Sequence, residues 1–119
     1  MANIGYDKSF AFAVDIIAVA KELQKKHGYE MANQLVRCGT SVGANLSEAE
    51  FAQSDADFVS KISIALKEAA ESRYWLRLLR ETCDVSSEDA ARLISQADEI
   101  IRILVASLKT AKKQIEIRR

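Results

Sequence analysis

The chain has 119 residues, enough to bury one hydrophobic core but not two, with no proline and only 4 glycines. Its 17 basic and 17 acidic residues cancel, which excludes a strong overall field drawing the chain to nucleic acid or to a membrane surface. Ala, Leu, Ile, Glu, Lys and Arg dominate, the composition of an all-α protein.

Met1–Tyr6 reads as a lead-in with Asp7 as N-cap, and a first helix is predicted over about 8–27. Phe10, Val14 and Ile17 cluster on one face of it, and Phe12, Ile16, Val19 and Leu23 on another. That stripe is wider than one helix–helix contact requires. Gly28 supplies the stop. A second helix is predicted over about 30–53, with an apolar seam of Leu35, Gly39, Val42, Leu46 and Ala49. Its alternating steps of four and three are those of helices packed at a shallow angle. Gly39 and Gly43 each cost about 1 kcal/mol against alanine in a helix interior, so close approach of a neighbouring backbone is expected to compensate. Arg37, Ser41, Asn45 and Glu48 form a polar row along one flank of this helix.

Ser54 begins S-D-A-D, an N-cap with Asp57 where a capping box carries Glu. The third helix is predicted over about 55–82, with a seam of Phe58, Ile62, Ala65, Ala69, Ser72, Leu76 and Leu79. Ile64, Trp75 and Leu78 form a second apolar cluster, about 100–160° round the helix, that is expected to meet another subunit. Asp84–Ser87 makes the last turn, with Ser86 or Ser87 as cap and Glu88 and Asp89 where negative charge suits a helix start. The fourth helix, about 87–114, has the cleanest seam: Ala90, Ile94, Ala97, Ile101, Leu104, Leu108, Ala111 and Ile115. Four helices joined by short turns predict one domain over 1–119, an antiparallel up-down-up-down four-helix bundle.

The chemistry that bundles often host needs residues this chain lacks. Di-metal sites use two Glu-x-x-His pairs, and His27 is the only histidine. Cys38 and Cys83 form no Cys-x-x-Cys and no Cys/His cluster, so they are expected to be reduced thiols. Without a neighbouring histidine, nothing prepares Ser41 as a nucleophile. No enzyme activity, cofactor or metal is therefore expected. No targeting segment and no long apolar run is present, which points to a cytoplasmic protein without a membrane partner.

Two readings remain open for the polar row together with Asp57 and Glu68. It is a hydrogen-bonded network fixing register near an interface, or the lining of a ligand groove. Trp75, beside Tyr74, Arg73 and Arg77, is likewise an interface anchor or a base-stacking platform. The charge is uneven: residues 1–59 hold 5 bases and 8 acids, and residues 60–119 hold 12 and 9. Five of those bases (Lys109, Lys112, Lys113, Arg118 and Arg119) stand in the last eleven residues.

R-C-G-T-S-V-G-A-N-L-S-E-A at Arg37–Ala49, S-D-A-D-F at Ser54–Phe58, I-A-L-K-E-A-x-E at Ile64–Glu71 and W-L-x-L-L at Trp75–Leu79 together resemble one bacterial family. It is the four-helix-bundle family of proteins encoded in 23S rRNA intervening sequences. The resemblance implies a left-handed up-down bundle that in relatives assembles into a five-fold ring, and it brings no catalytic residues. The related accessory protein of diversity-generating retroelements is similarly a pentameric bundle and binds nucleic acid together with a reverse transcriptase. That relative is strongly basic, whereas this chain is neutral. Many members carry Gly where this chain has Ala49.

The resulting expectation is a non-enzymatic binding or scaffolding module that forms a homopentamer through Ile64, Trp75 and Leu78. The alternative is RNA or DNA binding by Arg73, Arg77, Arg80, Lys109, Lys112 and Lys113. A protein encoded nearby is a third class of partner.

Overall fold

The computed structural model describes residues 4–118, with the side chains of Ile4 and His27 outside the description. Four helices follow one another: α1 (Ile4–His27), α2 (Tyr29–Ala49), α3 (Asp55–Glu81) and α4 (Ser87–Arg118). Each packs along its neighbour in the chain, and α1 meets α4 in the least extensive of the four pairings. The expected seams form most of the core. The exceptions are Phe58 of α3, which is exposed, and Ile101, Leu108, Ala111 and Ile115 of α4, which are only half-buried while Leu93 and Ile100 face inward. Leu35, Gly39, Val42, Leu46 and Ala49 of α2 are all buried, as are Ile62, Ala65, Ala69, Ser72, Leu76 and Leu79 of α3. Phe12, Ile16 and Leu23 fill the α1 side, and Leu93, Ile100 and Leu104 the α4 side.

The helix ends differ from the sequence reading in three places, the start of α1 and the ends of α2 and α4. The first helix already runs from Ile4, so Asp7 does not cap it but sits in its first turn, where its charge suits the dipole. Met1–Asn3, the start of the expected lead-in, lie outside the described residues. The second helix stops at Ala49, not near Gln53, because the next helix claims the chain first. Ser54 is extended, and its Oγ accepts the Asp57 N–H at 3.0 Å, while the Asp57 carboxylate accepts the Gln53 N–H at 3.1 Å. This is a capping box reaching one residue further back than usual. The fourth helix runs on to Arg118, and Ser86, not Ser87, caps it by accepting the Asp89 N–H at 3.1 Å.

One residue joins α1 to α2. Gly28 has φ +84° and ψ −165°, a conformation open essentially to glycine alone. At the α3–α4 turn, α3 closes with a six-to-one bond from the Asp84 N–H to the Leu79 carbonyl at 2.9 Å. A five-to-two bond runs from the Cys83 N–H to the Arg80 carbonyl at 3.1 Å. That is a Schellman stop, and its left-handed position is held by Cys83 at φ 61° where glycine is the usual occupant.

The two glycines of α2 face α1, each for its own reason. A Cβ on Gly39 would lie 2.8 Å from Cγ2 of Ile16, so this glycine makes room for a buried branched side chain. Gly43 lies against Ser9, whose backbone would be 3.7 Å from an added Cβ. The expected close backbone approach thus holds at Gly43 only, and there at ordinary van der Waals distance.

Candidate functional site

The flank of α2 that carries the polar row faces α3, and the side chains there fall into separate local sets. Arg37 reaches across to Glu68 (Nη1 to Oε1, 3.3 Å) and pairs closely with Glu71. Glu71 also accepts the indole N–H of Trp75 at 3.0 Å, one helical turn along α3. Loss of solvent works against the Arg37 charge, but the Glu71 and Glu68 carboxylates outweigh it and raise the guanidinium's pKa. Glu48 pairs with Lys61 at 2.9 Å, and this bond and charge raise the lysine's pKa. Ser41 and Asn45 turn inward along their own helix: Ser41 Oγ donates to the Arg37 carbonyl at 2.6 Å, and Asn45 Nδ2 to the Ser41 carbonyl at 2.8 Å.

Of the six residues expected to form one network, the structure joins only Arg37 and Glu68 side chain to side chain, and Ser41 and Asn45 bond to the backbone of their own helix. Asp57 is committed to its cap. Glu71 and Lys61 complete the pairs. The Glu71–Trp75 spacing of four was the available signal for the first, and the requirement that Glu48 face a cation for the second.

Behind the Arg37 pairs lie Cys38 and Ser72, both fully buried. The thiol donates weakly to the Leu35 carbonyl at 3.6 Å, and Ser72 Oγ donates to the Glu68 carbonyl at 2.8 Å. Burial pushes the Cys38 thiol pKa up, and the Ser72 hydroxyl offsets this only in part. A thiol held protonated is a poor nucleophile. Among the described residues no group of three or more His, Cys, Asp or Glu could hold a metal ion, and no helix is long and apolar enough to cross a membrane.

The surface carries two apolar areas. On α3, Ile64 is half-buried, Trp75 packs partly on the core, and Leu78 is exposed. The ring of Tyr74 meets that of Trp75 edge-on at 5.3 Å. The larger area is on α1, where Phe10, Val14 and Ile17 are 59%, 54% and 38% exposed. Their spacing of four and three aligns them on one outward stripe. The width of the α1 apolar pattern announced this second face, although the interface was expected on α3.

The bases named for nucleic acid separate by what they touch. Arg73 is held by Asp98 at 2.7 Å and is not free. Arg77, Lys109, Lys112 and Lys113 are exposed and Arg80 partly so, none with an ion-pair partner among the described residues. Arg118 is paired with Asp55 at 2.8 Å, and Arg119 lies outside the described residues.

Comparison with known proteins yields one family and one solved structure of note. Residues 2–106 match the family described as 23S rRNA-intervening sequence protein. A crystal structure of a protein with unknown function from the S23 ribosomal protein family of Bacteroides thetaiotaomicron superposes with a TM-score of 0.86 at 43% identity. The match covers 89% of this chain and 99% of that one. No curated protein sequence matches.

Proposed function

The chain belongs to the family of 23S rRNA-intervening sequence proteins, and from that premise we propose that it is a non-enzymatic scaffold that works as a homo-oligomer, a ring of five. The observation that carries this reading is the outward stripe Phe10, Val14 and Ile17, three large apolar side chains left in water on one helix face. The α3 area around Ile64, Trp75 and Leu78 is a second apolar face. A ring needs two different faces on each subunit, because its contacts run head to tail.

The bundle beneath is read as antiparallel and up-down-up-down. Ser9 and Ile16 meet Gly43 and Gly39 in reverse order, Arg37 and Glu48 pair with Glu68 and Lys61 in reverse order, and Lys8 and Asp15 pair with Glu99 and Arg92 likewise. Its left hand is the one the family resemblance implies. The reading is tested by sedimentation of Val14→Asp and Trp75→Ala. Each is expected to lower the oligomer mass while leaving the helical signal intact. Native mass for both variants would remove these faces from the assembly.

A second reading, nucleic-acid binding, is favoured by the unpaired bases Arg77, Arg80, Lys109, Lys112 and Lys113. A gel shift that weakens with salt and disappears on changing Lys109, Lys112 and Lys113 to Glu supports it. Absence of binding at low salt rejects it.

A further inference from the structure

The two uncovered apolar stripes are bracketed by charge, and in opposite senses. On α1, Asp7 stands ahead of Phe10, Val14 and Ile17, and Lys21 closes the stripe fourteen residues after Asp7. On α3, Lys67 stands ahead of Tyr74 and Leu78, and Glu81 closes the stripe, again fourteen residues on. Steps of three, four and seven return to one side of an α-helix, so each pair of charges is in line with the apolar residues between them. Both stripes span about 21 Å at the α-helical rise. All four charged residues are exposed, and none has an ion-pair partner among the described residues. Tyr74 and Leu78 border a hollow of about 510 Å³ that Glu81 also lines.

The order of the charges selects a direction. Laid parallel with Asp7 against Lys67, the equal spacing brings Lys21 against Glu81, and opposite charges meet at both ends. Laid antiparallel, Asp7 meets Glu81 and Lys21 meets Lys67, and like charges oppose the pairing at both ends. The fold supplies the parallel direction. Among the described residues α1 and α3 do not touch, and each packs between α2 and α4, so they stand at diagonal corners with their outer sides facing apart. In the up-down reading they also run the same way. Rotation about an axis along the bundle therefore sets α1 of one copy beside α3 of the next, pointing in one direction.

We propose that α1 of one copy docks in parallel on α3 of the next, with Asp7 paired to Lys67, Lys21 paired to Glu81, Val14 level with Tyr74 and Ile17 over the hollow beside Leu78. The proposal rests on the homo-oligomer reading above and adds to it which faces meet, their direction and the charges that fix the register. A two-fold contact of α1 with α1, or of α3 with α3, would also match its charges. Contacts of those two kinds only alternate, however, and cannot close five copies into a ring.

The test is sedimentation velocity of the whole protein over a dilution series, with the helical signal recorded for each variant. Asp7→Lys with Lys21→Glu puts like charges at both ends and is expected to raise the concentration of half-dissociation at least ~10-fold. Lys67→Glu with Glu81→Lys is expected to do the same. All four changes together restore opposite charges and are expected to return the wild-type mass, which separates a lost contact from a lost fold. A two-fold α1 contact would pair Asp7 of one copy with Lys21 of the other, so the α1 double reversal would leave it intact. Wild-type dissociation in either double reversal, or no recovery of mass in the fourfold variant, overturns the docking while leaving the oligomer reading in place. A wild-type monomer at every concentration overturns both.

Discussion

Gly39 and Gly43 stand one turn apart on the same helix, yet adding a methyl group to each should have opposite effects. A Cβ at Gly39 would stand 2.8 Å from Cγ2, 3.0 Å from Cγ1 and 3.2 Å from Cβ of Ile16. Ile16 is fully buried and branched at Cβ, so its χ1 has one comfortable value in a helix and cannot swing clear. Overpacking of this kind costs about 1–3 kcal/mol, against which the better helix propensity of alanine returns about 1. Gly39→Ala should therefore lose about 1 kcal/mol. At Gly43 the nearest atom is Ser9 Oγ at 3.4 Å, an ordinary contact. Gly43→Ala should keep most of the propensity gain and be stabilising by up to about 1 kcal/mol. Urea unfolding of the two variants measures the contrast. A double-mutant cycle with Ile16→Ala localises it, because removing both γ carbons should relieve most of the Gly39→Ala penalty. Gly39→Ala at or above wild-type stability, or a penalty that adds independently to that of Ile16→Ala, would refute the reasoning.

Other consequences follow from single residues. Cys83→Gly should raise stability by about 1 kcal/mol in the same assay, because it removes a side chain from φ 61°. With Ellman's reagent the exposed Cys83 thiol should react at once, and the buried Cys38 only as the chain unfolds. Cys38 also sets a pH dependence. Its folded pKa lies above the ordinary value of 9.0, so above that pH the folded state holds more protons than the unfolded one and stability falls as pH rises. Unfolding midpoints measured below and above pH 9 should therefore drop less steeply in Cys38→Ala than in wild type. Gly28→Ala should destabilise by more than the usual Gly-to-Ala difference, read as a lowered melting midpoint, because no L side chain is comfortable at φ +84°.

The core was legible because burial and helical period act together: every residue of the α2 seam, from Leu35 to Ala49, is inside. The Ser54 cap was legible too, since side-chain chemistry at a helix start is local. The end of α2 was not. Residues 50–53 are Glu-Phe-Ala-Gln, with no Gly or Pro to mark a stop, and the helix ends there because Ser54 and Asp57 take over the backbone ahead of α3. The polar row misled for a related reason. Period four placed Arg37, Ser41 and Asn45 on one flank, but a short hydroxyl or amide can satisfy itself on its own helix one turn back, and both do. Only Arg37 and Glu48 are long enough to reach α3. The α1 stripe shows the reverse case: Phe10, Val14 and Ile17 were visible as a second face, and only the fold reveals that none of the described residues covers them fully.

The claim that these uncovered faces are subunit contacts is tested most directly by the mass of the wild-type protein in solution, measured by light scattering at moderate salt with the ratio of absorbance at 260 and 280 nm recorded alongside. The account predicts a protein-only particle of about five times the 13.2 kDa chain mass. A stable 13.2 kDa monomer, with Phe10, Val14 and Ile17 open to water, would contradict it.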